Sequence, residues 1–277
     1  MRTLILLIKR YPIAAYFTLA FAFTWIILAP AVLAAQGMIS LSLSATVLIT
    51  LATLGPAVGA LIVTAVASGR GGVKALLAQA GRWRVKPIWY VVALLGPALI
   101  MLAAFLLWRL LGGPPLATPP ANAWFSIPIL IVVLLIPALF EEIGWRGFAL
   151  PRLQARYGPL PASLILGVAW AIWHAPIWFI PEAGFNTLPF LVFALFTIAM
   201  SILFTWLYNG TGGSVLLPAL AHAAINAMPL PWNTAVYLLP EGARGMHLQI
   251  PVTMVLVALA LLLFLIRPKL LAAESTI

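Results

Sequence analysis

The chain has 277 residues, 64% of them apolar and 7% charged, with no cysteine and a mean hydropathy of +1.14. Soluble domains carry about 25% charged residues, so a soluble fold is excluded, and the absence of thiols excludes a disulfide framework, a thiolate metal site and a cysteine nucleophile. The net charge of +10 would suit a polyanion, but the basic residues fall where membrane topology explains them, so nucleic acid is not expected as a partner.

A hydrocarbon core of about 30 Å takes roughly 20 residues of helix. Apolar segments near 12–36, 43–69, 87–111, 122–143, 160–181, 186–208, 213–230 and 248–266 predict an all-α, polytopic transmembrane bundle of about eight helices. They form a single membrane-embedded domain over 1–277, with membrane lipid as its surroundings. The first span follows MRTLILLIKR and ends in APAVLAAQG. Its apolar stretch is longer than a signal-peptide core and reads as a retained signal anchor. After the second span, GRGGVKALLAQAGRWRVKPIWY mixes apolar and basic residues behind glycines, the pattern of an interfacial amphipathic helix.

Arg2, Lys9 and Arg10 precede the first span, and Arg70, Lys74, Arg82, Arg84 and Lys86 lie between the second and third. Arg152 and Arg156 follow the fourth, and Arg267 and Lys269 follow the eighth. Alternating crossings put all of them on one side, which the positive-inside rule makes cytoplasmic. Both termini are therefore expected in the cytoplasm. The loops AQGMISLS, GGPPLATPP and PEAGFN carry no lysine or arginine, as outward loops should.

Ionisable side chains inside a span cost about 2.5–3.5 kcal/mol at mid-depth and mark function by default. The fourth span carries Glu141, Glu142 and Arg146, the fifth His174 in AWAIWHAPIWF, and the seventh His222 and Asn226 in LPALAHAAINAM; His247 falls at the outer start of the eighth. At about 1.5 Å per residue, Glu141, His174 and His222 lie about 15, 21 and 13 Å from the inner ends of their helices, a shared depth. At about 100° per residue, Arg146 lies roughly 40° from Glu142 and roughly 140° from Glu141. Glu142 can thus pair with Arg146 along one face, while Glu141 has no partner within its helix. One carboxylate is neutralised structurally and the other keeps its lone pairs for chemistry.

His222 and Asn226, also i, i+4, form a donor pair, although each alone would serve as interhelical hydrogen-bonding. Pro137, Pro176 and Pro218 are expected to free backbone carbonyls around these residues. Trp170, Trp173 and Trp178 read as packing, or as the lining of an apolar substrate cleft.

EEIGWR, WAIWH and HAAIN resemble, in order and approximate spacing, the EExxxR, FxxxH and HxxxN signatures of the CPBP family. This family, also called ABI, includes CAAX prenyl endopeptidases and bacteriocin-processing or self-immunity proteins. The resemblance covers about 120–230, the expected catalytic core, with one departure: Trp170 stands where the second signature has Phe, a change that bears on cleft shape more than on chemistry.

The resemblance implies an eight-helix intramembrane glutamic endopeptidase opening to the cytoplasm, in a prokaryotic plasma membrane, acting on a peptide or a lipidated, CAAX-like protein. Glu141 with His174 would activate water, His222 and Asn226 would hold the oxyanion, and Glu142 with Arg146 would support them, with no cofactor.

The residues themselves leave other classes open. Glu141, His174 and His222 match a two-His, one-Glu catalytic zinc set, although the local HExxH pattern is absent. A proton-coupled transporter would use the same buried acids, and a non-catalytic immunity or scaffold protein would need none of them.

Overall fold

The computed structural model describes residues 2–113, 124–185, 188–228 and 249–266. The helices, in chain order, are α1 (Arg2–Arg10), α2 (Pro12–Ala35), α3 (Ala45–Ala52), α4 (Gly55–Ala80), α5 (Pro87–Leu110) and α6 (Ile127–Glu142). A π-helical segment, Ile143–Ala149, leads from α6 into α7 (Leu150–Tyr157), followed by α8 (Pro159–Trp173) and short 3-10 turns at Ala175–Phe179 and Pro181–Ala183. The remaining helices are α9 (Phe190–Gly210), α10 (Leu216–Ala227) and α11 (Gln249–Ile266). Proline stands in the first turn of α2, α4, α5, α6, α7 and α8. There its missing N–H costs nothing and its fixed φ favours the helix.

Among the described residues, seven helical segments are long and apolar enough to cross a membrane, which makes the chain a polytopic helical bundle and an integral membrane protein. The seventh apolar segment differs from its expected 213–230. The turn at 211–214 delays it, and α10 is a 12-residue helix, about 18 Å long. It is buried on nearly every side, as a core helix with apolar residues all round should be. Pro218 sits in its first turn, where backbone N–H groups have no intrahelical partner anyway, so it breaks no bond.

The expected second span is also divided. Thr53 and Leu54 separate α3 from α4, and within α4 Gly69 takes φ 64° and ψ −162°. This left-handed conformation is one that only glycine adopts freely. It sets Arg70–Ala80, the basic amphipathic stretch, off from the apolar helix before it.

The end of α4 and the residues after it are then clamped to the end of α9 and the turn that leads into α10. Val215 N–H donates to the Gln79 carbonyl at 3.0 Å, Ser214 Oγ to the Arg82 carbonyl at 2.7 Å and Tyr208 Oη to Gln79 Oε1 at 2.7 Å. Arg82 also donates to the Gly212 carbonyl.

Small residues set the helix spacing, as in membranes generally. α2 lies against α4, with Gly59 facing the backbone of Tyr16 and Ala20. α8 lies against α9, with Gly167 facing Ile198. The core is completed by α10 between α6 and α5, and by α11 against α5 and α9. Large apolar side chains such as Leu99, Val132, Leu191 and Leu265 face outward, where lipid replaces a hydrophobic core.

Candidate active site

The site is assembled where α6 gives way to the π segment, beside the end of α8 and the middle of α10. The Leu150 N–H reaches back to the Trp145 carbonyl, the five-residue step that marks a π turn and recurs at functional sites. Every residue from Ile143 to Ala149 is buried. Gly144 makes this possible, because a Cβ there would come within 2.5 Å of Pro56 Cβ. The absence of a side chain lets the start of α4 lie directly on the segment carrying Arg146.

Glu142 is fully buried and shared. Its Oε1 accepts from Arg146 Nη1 at 3.1 Å and faces His222 Nδ1 at 3.1 Å, and its Oε2 lies 3.1 Å from the same guanidinium nitrogen. The i, i+4 pair expected from spacing is present. The bond to His222, which ties α6 to α10, is additional. The Arg146 guanidinium also lies 5.1 Å from the Trp170 ring centre and 4.9 Å from that of Phe204, within cation–π range.

Glu141, 5% exposed, has no bond to Arg146; its Oε2 accepts from Trp170 Nε1 at 2.9 Å. His174 lies just past α8, which ends at Trp173 rather than continuing to 181, because Pro176 cannot supply the next helical N–H. Half-buried there, His174 places Nδ1 2.8 Å from the Trp170 carbonyl. A carbonyl only accepts, so Nδ1 carries the proton and Nε2 of the neutral ring keeps its lone pair.

Trp170, 4% exposed, therefore touches four members of the cluster: Glu141 and His174 by hydrogen bonds, Arg146 by its face and His222 across a T-shaped contact of 5.2 Å. Asn226, one turn beyond His222 on α10, is exposed and makes no hydrogen bond among the described residues, so both its amide donors are available. Glu141, Glu142, Arg146, His174 and His222 thus gather around one indole, and Asn226 stands at the margin. His247 lies outside the described residues.

Two features were not read from sequence: the Glu142–His222 bond and the donation from Trp170. The second had a signal. A buried indole N–H needs an acceptor, and Trp170 is one helical turn before His174, at the depth of an unpartnered carboxylate. Near the site, Tyr16 Oη, Trp145 Nε1, and Arg146 Nε and Nη2 are buried without a hydrogen-bond partner.

Behind α10 lies a cavity of about 540 Å³ between α5, α9, α10 and α11. Its lining includes Val92, Ile100, Phe204, Ala221, Ile225 and Leu259. Phe204 is shared with the charged cluster, 5.8 Å from the His222 ring. Among the described residues, no three His, Cys, Asp or Glu side chains gather as ligands for one metal ion.

Residues 122–228 match the family model described as type II CAAX prenyl endopeptidase, Rce1-like. The chain is also 35% identical over 147 residues to CAAX prenyl protease 2 of Methanococcus maripaludis, an alignment covering 49% of this chain and 53% of that relative. The chain thus matches about half the length of this curated relative. The match to the family model spans every side chain of the cluster, and the likeness to the CPBP family carried by EEIGWR, WAIWH and HAAIN is borne out.

Proposed function

We propose that the chain is an intramembrane endopeptidase of the glutamic type, hydrolysing a peptide bond in a membrane-associated, prenylated CAAX-like substrate. The observation that carries this reading is the pair of bonds made by Trp170. Its N–H holds one oxygen of Glu141 and its carbonyl fixes the tautomer of His174. The second oxygen of Glu141 and Nε2 of His174 then remain as proton acceptors within an apolar bundle.

In the proposed reaction, a water molecule gives its proton to this pair as its oxygen attacks the scissile carbonyl. The negative charge moves to the carbonyl oxygen, where His222 and Asn226 donate to it. With Nδ1 directed at Glu142, His222 offers an Nε2–H only as the imidazolium, and the Glu142 carboxylate supplies its counter-charge. Collapse of the tetrahedral intermediate breaks the C–N bond, and the proton held by the Glu141–His174 pair passes to the leaving amine. Glu142 and Arg146 hold the arrangement in register.

The prenyl chemistry rests on the relatives' descriptions, and the apolar cavity beside Phe204 suits it. Pockets of 300–1,000 Å³ are the usual range for small ligands. This scheme uses no metal. The one-sided distribution of basic residues supports a cytoplasmic orientation of the site's mouth and both termini.

The test compares the C-termini of membrane proteins in cells carrying wild type and Glu141→Gln. A processed end present only with wild type is expected, and it identifies substrate and bond together. Identical termini, with transport of a solute lost in the variant, would assign the buried acids to a transporter.

A further inference from the structure

The family signature has Phe where this chain has Trp170, and by sequence the exchange looks like a change of shape. The contacts make it a change of chemistry. Phe would retain the edge toward His222 and the face toward Arg146, and its backbone carbonyl would still accept from His174. It would lack the indole N–H that donates to Glu141 Oε2 at 2.9 Å.

The ring that carries this donor has little freedom. It is 4% exposed, with its centre 5.2 Å from His222, 6.1 Å from His174 and 6.2 Å from Phe204, and with the Arg146 guanidinium over its face. Ring contacts on this scale fix an indole's rotamer, and a fixed indole fixes the oxygen it donates to. The carboxylate oxygens of Glu141 are thereby made inequivalent, since Oε2 is the one committed to Trp170. Hydrogen bonds to an ionised acceptor are also the strong ones, so the bond resists rotation of the carboxyl group.

We propose that Trp170 is a positioning residue for Glu141, its indole N–H occupying Oε2 so that water is met by Oε1 in one orientation. This rests on the proposed reading of Glu141 as the water-activating carboxylate. Trp170 touches neither water nor substrate in this scheme; it acts through Glu141.

The experiment uses full-length protein in liposomes and a prenylated CAAX peptide with a fluorogenic scissile bond. It compares wild type, Trp170→Phe, Glu141→Gln and a variant with benzothienylalanine at 170, which keeps the bicyclic shape and replaces N–H by sulfur. Loss of one hydrogen bond to a charged group predicts that kcat falls about ten-fold in both position-170 variants. KM and the unfolding temperature should stay as in wild type for the benzothienylalanine protein.

Infrared difference spectra against Glu141→Gln isolate the Glu141 carboxylate band in a chain with only five acidic residues. That band should shift when the indole N–H is removed. Wild-type kcat in the benzothienylalanine protein, or an unshifted band, overturns the proposal while leaving Glu141's role standing. An uncut peptide, or cleavage by Glu141→Gln at the wild-type rate, overturns the underlying reading and the proposal with it.

Discussion

The N-terminal helices and the Rce1-like segment use opposite means to bury polar atoms. Between α2 and α4 the contacts are made by small residues, and the buried polar side chains are uncharged hydroxyls, Thr24 among them bonded to both backbone and indole. Thr24 Oγ1 donates to the Ala52 carbonyl at 2.7 Å and accepts from Trp173 Nε1 at 2.9 Å. Where α6, the π segment and α10 meet, the chain instead buries Glu141, Glu142, Arg146 and His222 within one cluster. The first arrangement is ordinary membrane packing. The second carries a desolvation cost that packing does not require, and on that difference the proposed chemistry is assigned to the cluster.

The largest effect that would sharpen this contrast lies between the adjacent glutamates. Glu141→Gln is expected to lower peptide hydrolysis by about 10⁴-fold, the upper range for a general base, at unchanged thermal stability. Glu142→Ala should lower activity too, but with a loss of about 3–5 kcal/mol in stability, because it strands Arg146 as a buried unpaired charge. Equal stability of both variants in thermal unfolding would erase the division of roles between them.

Asn226→Ala comes next. Removal of one oxyanion donor typically costs about 10²–10³ in rate. Since Asn226 is exposed and makes no hydrogen bond among the described residues, its unfolding temperature should not move. A rate within two-fold of wild type would remove it from the oxyanion site.

The division between Glu141 and Glu142 was legible because it is local. Four residues along one helix place Arg146 beside Glu142, and no knowledge of other helices is needed. The crossing helices were legible for the same reason, from runs of apolar residues long enough to span lipid. What escaped depends on neighbours distant in sequence. His222 is 80 residues from Glu142 and Trp170 is 29 from Glu141, so neither bond leaves a periodic trace. The π segment, likewise, is held by the close approach of Pro56 to Gly144, a contact between helices. The turn at 211–214 shortens α10, and its burial on nearly every side looks in composition the same as exposure to lipid.

Smaller effects belong to the N-terminal region. Thr24→Val should cost about 1 kcal/mol per lost hydrogen bond and leave kcat unchanged, since its bonds tie α2 to α3 and α8 outside the charged cluster. A large fall in kcat at full stability would move the boundary of the site into α2. A single cysteine replacing the exposed Arg84, in a chain without cysteine, should react with an impermeant maleimide only from the cytoplasmic side. Labelling from outside would invert the proposed topology.

The measurement closest to the central claim is hydrolysis of a prenylated CAAX peptide by purified protein after exhaustive chelation, with wild type and Glu141→Gln side by side. Wild type is expected to cleave at its full rate without metal, and Glu141→Gln to leave the peptide intact with or without added zinc. Loss of wild-type cleavage on chelation, restored by zinc alone with one metal bound per chain and none in His174→Ala, would contradict water activation by Glu141 and His174 and assign the chemistry to a metal-bound hydroxide.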